Sequence, residues 1–265
     1  MKIGVIIPLY NAKDLISRCL EAWKVIKDEG QYTVKIFCID GRFNEYGEET
    51  SPPNSTDGTV DLLKAYKESK IIDDYILAGG GLLEHDIRNL GLNQCKASDC
   101  DILWNVDSDE FYTPLDIRQI IKYIEKKTLV AYFKIHFKNL VFNSNTWVDG
   151  FCPPRIWRVK HGNLTLNRFH WDNDCYYREN GSVYDIGDKL LGHLAIPKSV
   201  AFITHETWLS NERSKLKCLY QEKHFAHGAG CGFKWDEEKN RLVFNLDYYK
   251  KTGQSLPELH TDEQI

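Results

Sequence analysis

Apolar runs and amphipathic stretches alternate along the first hundred residues. "KIGVIIPLY" is a continuous apolar run broken by a proline, the pattern of a strand buried on both faces. "AKDLISRCLEAWKVIKDEG" follows, with Leu15, Ile16, Cys19, Leu20, Trp23 and Ile26 at helical spacing and Gly30 as a stop. "TVKIFCID" predicts a second strand. "STDGTVDLLKAYKES" predicts a helix with cap residues at its start and Val60, Leu63 and Tyr66 on one face. "DDYILAG", "LLEHDIRNLGLNQCKAS" and "DILWNVD" continue as strand, helix and strand. Such alternation argues for a parallel sheet covered by helices, a Rossmann-like α/β domain.

Beyond residue 112 the pattern loosens. Thr113-Pro114 is a good helix start before "LDIRQIIKYIEKK", and "TLVAYFKIHFKNLVF" reads as one long strand. Residues 143–200 are irregular and rich in aromatics, "SVAFITHE" predicts a strand, and a helix is expected from 206 to about 227. The tail "SLPELHTDEQI" reads as polar and loose. The expected division is a ligand-binding half over 1–112, a second half of the same domain over 113–210, and a C-terminal helical extension with tail over 211–265.

Composition narrows the classes. Against 34 Lys and Arg stand 38 Asp and Glu, a formal charge of −4, which offers no electrostatic case for a nucleic-acid or anionic-membrane surface. No stretch reaches the roughly 18 apolar residues of a membrane span. The N-terminal apolar run stops at Pro8 without a small-residue cleavage site and reads as a strand, not a signal peptide. Eight scattered cysteines suggest buried free thiols and a cytoplasmic protein, and the three Asn-x-Ser/Thr sequons are taken as chance.

Ligands of parallel sheets bind at the carboxyl ends of the strands. Tyr10 and Asn11, Asp40, and Asp107-Ser108-Asp109 all fall there. Two carboxylates at i and i+2, where a buried strand ends, suit a hard cation such as Mn²⁺ or Mg²⁺ that keeps positions open for phosphate oxygens. A solvated acidic turn is the competing account, and the place of the pair at the ligand edge favours the metal.

"IGVIIPLYN", "IDG…STDGT", "RNLGL" and "ILWNVDSDE", in this order, resemble the nucleotide-sugar half of a glycosyltransferase family 2 enzyme with the GT-A fold. The resemblance covers residues 1–112. It implies a mostly parallel central sheet flanked by helices, with a less regular acceptor half and a C-terminal helix. It also implies a nucleoside pocket lined by Pro8, Tyr10, Asn11 and Asp40, an Arg88 that approaches the nucleotide, and a metal held by Asp107 and Asp109, with Asp107 also meeting the donor. The implied reaction moves a sugar from a nucleotide-diphosphate donor, a UDP-sugar, to a carbohydrate or other acceptor hydroxyl, with inversion. The departure is the polar segment "GRFNEYGEETSPPN", which separates Asp40-Gly41 from Ser55-Thr56-Asp57-Gly58.

The second half is loosely similar to family members of the lipopolysaccharide-core glucosyltransferase type, through "PPRIWRVKHGNLTLNRFHWDND" and "FITHETWLSNERSKLKCLY". An inverting transferase needs a carboxylate base beside the acceptor hydroxyl. Asp172, Asp174, Asp149, Asp185 and Glu206 are candidates, and Asp172 is favoured for its setting among Phe169, His170 and Trp171. His205 suits a third metal ligand or a phosphate contact, a buried structural histidine being the alternative. Arg155 and Arg158 should point to opposite faces of one strand, so at most one reaches the donor phosphates. Cys218, His224, His227 and Cys231 lack the spacing of a common zinc site.

Two other functions compete. Nucleotidyl transfer calls for a Gly-rich phosphate loop with a basic residue near the first strand; "PLYNAK" has no glycine, and "AGGGLL" follows the third strand instead. A non-catalytic nucleotide-sugar-binding protein on the same fold is the remaining alternative.

Overall fold

The computed structural model describes residues 1–43, 51–150, 152–160, 163–166, 175–179, 182–185, 192–224 and 232–261. They fall into two compact units, one of residues 1–136 with 152–203 and one of 137–151 with 204–265.

The first unit starts with β1 (Lys2–Leu9), buried at every position after Lys2, and α1 (Lys13–Glu29), which buries Ile16, Cys19, Leu20, Trp23 and Ile26 and stops at Gly30, a left-handed residue at φ 67°. β2 (Thr33–Asp40), α2 (Thr59–Glu68), β3 (Asp74–Leu77), α3 (Glu84–Ala97) and the wholly buried β4 (Ile102–Asn105) continue the alternation. After the short β5 (Glu110–Phe111), α4 (Pro114–Glu125) begins with Pro114 at its first turn. The Thr113 hydroxyl accepts the Asp116 amide, and the Asp116 carboxylate accepts the Thr113 amide in return.

The remaining elements are shorter. They are β6 (Tyr132–Lys134), β7 (Phe137–Val141), β8 (Thr146–Asp149), β9 (Pro154–Arg158), β10 (Asn163–Leu166), β11 (Cys175–Glu179) and β12 (Ser182–Asp185). β13 (His193–Ala195), β14 (Ile203–Trp208), α5 (Asn211–His224), β15 (Phe233–Asp236), β16 (Arg241–Phe244), α6 (Leu246–Thr252) and β17 (His260–Thr261) complete the chain.

A seven-stranded sheet in the order β13-β6-β9-β4-β1-β2-β3 forms the core of the first unit. β4, β1, β2 and β3 run parallel, as the alternation predicts, and β13 is parallel to β6. β9 is antiparallel to both of its neighbours, so the sheet is mixed but mostly parallel. The carboxyl ends of β1, β2 and β4 therefore form one edge, with Leu9 in register with Asp40 and Ile6 with Asn105. β10, β11 and β12 make a separate antiparallel sheet.

Several sequence expectations need correction. The long strand expected over 128–142 is two strands in two sheets. A register shift at Phe133/Lys134 bends the chain, the Ile135 amide bonds the Pro153 carbonyl, and Phe137–Val141 then pairs with β8. The expected helix over 206–227 starts later: 203–208 alternates buried and half-buried positions as a strand does, and Ser210 accepts the Ser214 amide to open α5. The tail is tied down at His260 and Thr261, which pair with β8, and His260 stacks on Trp147 at 4.3 Å. The hairpin of β15 and β16, which shares a core with Val141, Val148 and Trp208, gave no clear signal in its sequence.

One close approach sets where α3 lies. A Cβ on Gly91 would stand 2.8 Å from Ile39 Cδ1 and 2.8 Å from Ile6 Cγ2, inside contact distance of β2 and β1. Alanine in an ordinary helix interior gains about 1 kcal/mol over glycine. Here overpacking opposes that gain at a cost of about 1–3 kcal/mol. Gly91→Ala is expected to be net destabilising by about 1 kcal/mol. Urea unfolding followed by circular dichroism checks this, and a stabilised variant would show that α3 has room to move.

Candidate active site at the carboxyl edge of the sheet

The edge carries two clusters of side chains, both in the first unit. One ties the segment 52–59 to the ends of β1 and β2. Asp40 is fully buried; its carboxylate accepts the Ser55 amide at 2.9 Å and the Ser55 hydroxyl, while its backbone carbonyl accepts the Asn54 side chain at 2.8 Å. Asn11 is held left-handed at φ 47°. Its amide donates to Ser55 Oγ at 2.7 Å and its Oδ1 accepts the Thr56 amide at 3.0 Å. The Tyr10 hydroxyl donates to the Pro52 carbonyl at 2.9 Å. Pro8 is buried within β1, opposite Ile39.

Asp57 joins the starts of α1 and α2. Oδ1 accepts the Thr59 amide at 3.0 Å and its hydroxyl at 2.6 Å, and Oδ2 accepts the Lys13 amide at 3.0 Å. Burial disfavours its charge, but these donors outweigh that and hold its pKa below the usual carboxylate value. The carboxylate therefore belongs to the framework of the edge.

The second cluster is charged. Asp107 follows β4 with about a quarter of its side chain exposed. Its Oδ2 accepts from Arg155 Nη2 at 2.8 Å, and its Oδ1 accepts from Arg88 Nη2 at 3.2 Å and Asn105 Nδ2 at 3.4 Å. Arg88, one turn before Gly91 on α3, also pairs with Glu84. Arg155 is 5% exposed; its Nε and Nη2 reach Glu110 Oε1 at 2.9 and 2.6 Å. Glu110 Oε2 lies 3.3 Å from the Tyr112 hydroxyl, which takes a 3.4 Å bond from the Trp104 indole. Trp23 packs edge-on against Trp104 at 4.8 Å, so the acidic edge rests on a rigid aromatic bed.

Burial pushes the Glu110 carboxyl up to about 8, with Asp107 and Asp109 adding repulsion and Arg155 pulling the other way. Burial also opposes the Arg155 charge, but Glu110 and Asp107 more than offset it and raise its pKa above the ordinary guanidinium value. Arg155 thus stays charged beside Asp107 across the working pH range.

The structure brings Arg88 to Asp107 and joins Tyr10, Asn11 and Asp40 through the 52–56 segment. His205 lies on β14 in the second unit, 4% exposed and stacked on Phe137. There Nδ1 meets Asn139 Oδ1 at 2.6 Å and Nε2 meets the Thr207 hydroxyl at 3.0 Å, so both ring nitrogens are engaged. These contacts fit the alternative of a buried structural histidine. Asp172 lies outside the described residues, as do Asp174 and the side chain of Asp185. Among the other base candidates, Asp149 is exposed and Glu206 half-buried, both in the second unit. Of the four residues weighed for zinc, Cys218 is buried and not in a disulfide, and the other side chains lie outside the described residues.

Arg155 and Arg158 do point apart. Arg158 bonds the carbonyls of Ile124 at 2.9 Å, Val130 at 3.0 Å and Lys127 at 3.1 Å. The importance of Arg155 was not anticipated. The available signal was an arginine within the apolar run "PPRIWRV", because a buried guanidinium requires carboxylate partners.

The donor chemistry of Asp107 and Asp109 fits a hard divalent cation. Among the described residues no group of three or more His, Cys, Asp or Glu side chains forms a cage of its own. Such a pair fits an ion that takes part of its coordination from phosphates.

The Glu110 shift sets a pH dependence. The folded state binds this proton more tightly than the unfolded chain, whose carboxyl titrates near 4.5. The resulting stabilisation is complete below that value and is lost as pH rises towards about 8. Glu110→Gln should remove this slope, so its urea midpoint gains on the wild type as pH rises from about 5 to about 8. Parallel pH profiles for the two proteins would show that Glu110 does not titrate in this way.

Residues 53–180 match glycosyl transferase family 2. The span includes "STDGT", "RNLGL" and "ILWNVDSDE" but leaves out β1, α1 and β2. A poly(ribitol-phosphate) beta-glucosyltransferase from Bacillus spizizenii is 32% identical over 84 residues, which is 31% of this chain and 11% of that protein's length. The crystal structure of S. aureus TarS 1–349 aligns with a TM-score of 0.52 at 15% identity, covering 86% of this chain and 68% of that one. The family match falls on α3, β4 and β9, the elements that carry Arg88, Asp107 and Arg155, and the fold likeness spans most of the chain: residues 53–180 are similar to glycosyltransferase family 2, and the chain has the α/β fold of the GT-A glycosyltransferase structures.

Proposed function

We propose that the protein transfers a sugar from a UDP-sugar to an acceptor hydroxyl, with inversion at the anomeric carbon and with Mn²⁺ or Mg²⁺ at Asp107 and Asp109. The observation that carries this reading is Asp107 itself, a part-exposed carboxylate at the carboxyl end of β4 with guanidinium groups at 2.8 and 3.2 Å and a second aspartate two residues on. A cluster of both signs at a strand edge is suited to a diphosphate and its cation.

In this reading Asp107 and Asp109 hold the cation, which offsets the charge that develops on the departing diphosphate. Arg88 supplies a guanidinium at the same edge. Tyr10, Asn11 and Asp40, fixed through Ser55 and Pro52, frame the nucleoside side. Asp172 is the proposed base that takes the proton of the attacking hydroxyl. The name of the Bacillus spizizenii relative makes glucose, delivered to a polyol phosphate, the first donor and acceptor pairing to try. A reducing cytoplasm suits the six cysteines that stand outside disulfides among the described residues. No helix among them is long and apolar enough to cross a membrane.

Calorimetric titration of UDP tests the reading. Binding should depend on Mn²⁺ in the wild type and weaken by at least about tenfold, or about 1.4 kcal/mol, in Asp109→Ala. Metal-dependent binding would be followed by transfer assays with UDP-glucose and other UDP-sugars, the product anomer being read by NMR. Equal UDP binding with and without Mn²⁺, or no binding of any nucleoside diphosphate, would remove the metal role of the two aspartates. Tight donor binding without turnover on any acceptor would favour a non-catalytic binding protein.

A further inference from the structure

We infer that Cys95 and Cys100 form a modification site, which a small peroxide converts to a reversible intramolecular disulfide. The pair stands near the end of α3 and just before β4, whereas Arg88 is near the start of α3 and Asp107 follows β4. The inference therefore does not depend on the proposed function.

The way α3 ends brings the two side chains together. The chain leaves the helix through Asp99, left-handed at φ 53°, whose amide donates to the Lys96 carbonyl at 3.0 Å. The Cys100 amide then donates to the Cys95 carbonyl, also at 3.0 Å. This double closure folds the third residue past the helix back over the third from its end, where an apolar contact commonly forms. Here both positions are cysteine, each fully buried and neither in a disulfide. The Cys95 thiol donates a hydrogen bond to the Cys100 sulfur, so the two sulfurs are neighbours in the reduced protein. Gly4 on β1 leaves them room: a Cβ there would stand 3.0 Å from Cys100 Sγ and closer still to Cys95 Sγ. With the backbone already closed, joining the sulfurs calls for side-chain rotation more than backbone movement.

The two thiols differ in a way that orders the chemistry. Cys95 keeps its proton, because the hydrogen bond to Cys100 and burial both raise its pKa. At Cys100 that hydrogen bond favours the thiolate, and Lys2 and Lys35 add to it against burial and Asp101. The Cys100 thiolate attacks one peroxide oxygen, the O–O bond breaks, and hydroxide leaves to become water, giving a sulfenic acid. The Cys95 sulfur then attacks the Cys100 sulfur, the S–O bond breaks, and the departing hydroxide takes the Cys95 proton. Two thiols have lost two electrons and two protons, and the peroxide has become two waters. An external thiol reverses the bond by exchange.

Burial restricts the oxidant to a small molecule that enters when the last turn of α3 opens. Asp99, next to Cys100, is exposed, and a helix end is where local opening costs least. Cys19 and Cys38 are buried too, but burial raises both of their pKa values, which leaves them as inert thiols.

The test exposes the reduced full chain to hydrogen peroxide in native buffer, blocks the remaining thiols with N-ethylmaleimide in denaturant, and maps the cysteines by mass spectrometry. Wild type should lose the mass of two hydrogens in a cross-link between Cys95 and Cys100, and dithiothreitol should restore both thiols. Cys19 and Cys38 should be recovered as maleimide adducts. Cys95→Ser, its fold checked by circular dichroism, should stop at a Cys100 sulfenic acid that dimedone traps. The wild-type result decides the inference even if that variant does not fold. Recovery of both wild-type cysteines as maleimide adducts, or their separate oxidation without a cross-link, would overturn it. So would a cross-link that forms in urea but not in native buffer.

Discussion

A buried guanidinium between two carboxylates is the contact on which this edge of the molecule depends. β4 ends in acid after four fully buried residues, and Glu110 has no exposed surface. Carboxylates so placed are costly unless a positive group meets them. Arg155 meets two at once, and it can do so because β9 runs antiparallel beside β4 with Ile156 in register with Trp104. The one strand that breaks the parallel pattern is thus the one that delivers the counter-charge. A right-handed crossover to another parallel strand would have brought its carboxyl end to this edge, where a loop would follow; the antiparallel strand brings its amino end, with the arginine at its second residue.

The other members of the charged cluster are placed by packing. Gly91 lets α3 sit against Ile6 and Ile39, and Arg88 projects from the preceding turn towards the end of β4. Trp23 from α1 and Trp104 from β4 lock beneath the acids, with Tyr112 joining them through the Trp104 indole and Glu110. Rigid apolar packing below and ion pairing above hold Asp107 between rotamer-restricted neighbours, the kind of preorganisation a charged ligand needs.

Much of this was legible in the sequence. Period-3.6 and continuous apolar runs located β1 to β4 and α1 to α4, because those elements are long enough for their pattern to override local exceptions. Asp40 and Asp107 could be placed at one edge since the carboxyl ends of successive parallel strands are forced together, whereas Arg88, on α3, was reached only through the family resemblance. The partner of Asp107 was harder to see. Pairing between β4 and β9 joins residues about fifty positions apart, and no local pattern reports which strand neighbours which. The short elements after 200 failed for another reason: His260 and Thr261 are ordered by a stacked Trp147 and a two-residue ladder, which composition does not encode.

The segment 41–54 shows how a departure in sequence can leave geometry intact. The resemblance would put Asp40 and Ser55 nearly side by side in the chain, whereas here fifteen positions separate them, and yet Ser55 reaches both carboxylate oxygens of Asp40. Lengthening a surface connection costs little entropy once its ends are fixed, and here Asp40, Asn11 and Tyr10 fix one end. The residues expected to line the nucleoside side therefore anchor the inserted segment as well. Pro52 to Thr56, the described returning arm of the insertion, share one set of hydrogen bonds with Tyr10, Asn11 and Asp40, so any change in that arm acts directly on these three residues. The charged cluster is held differently, by the buried Arg155 on β9, which joins Asp107 after β4 to Glu110 on β5.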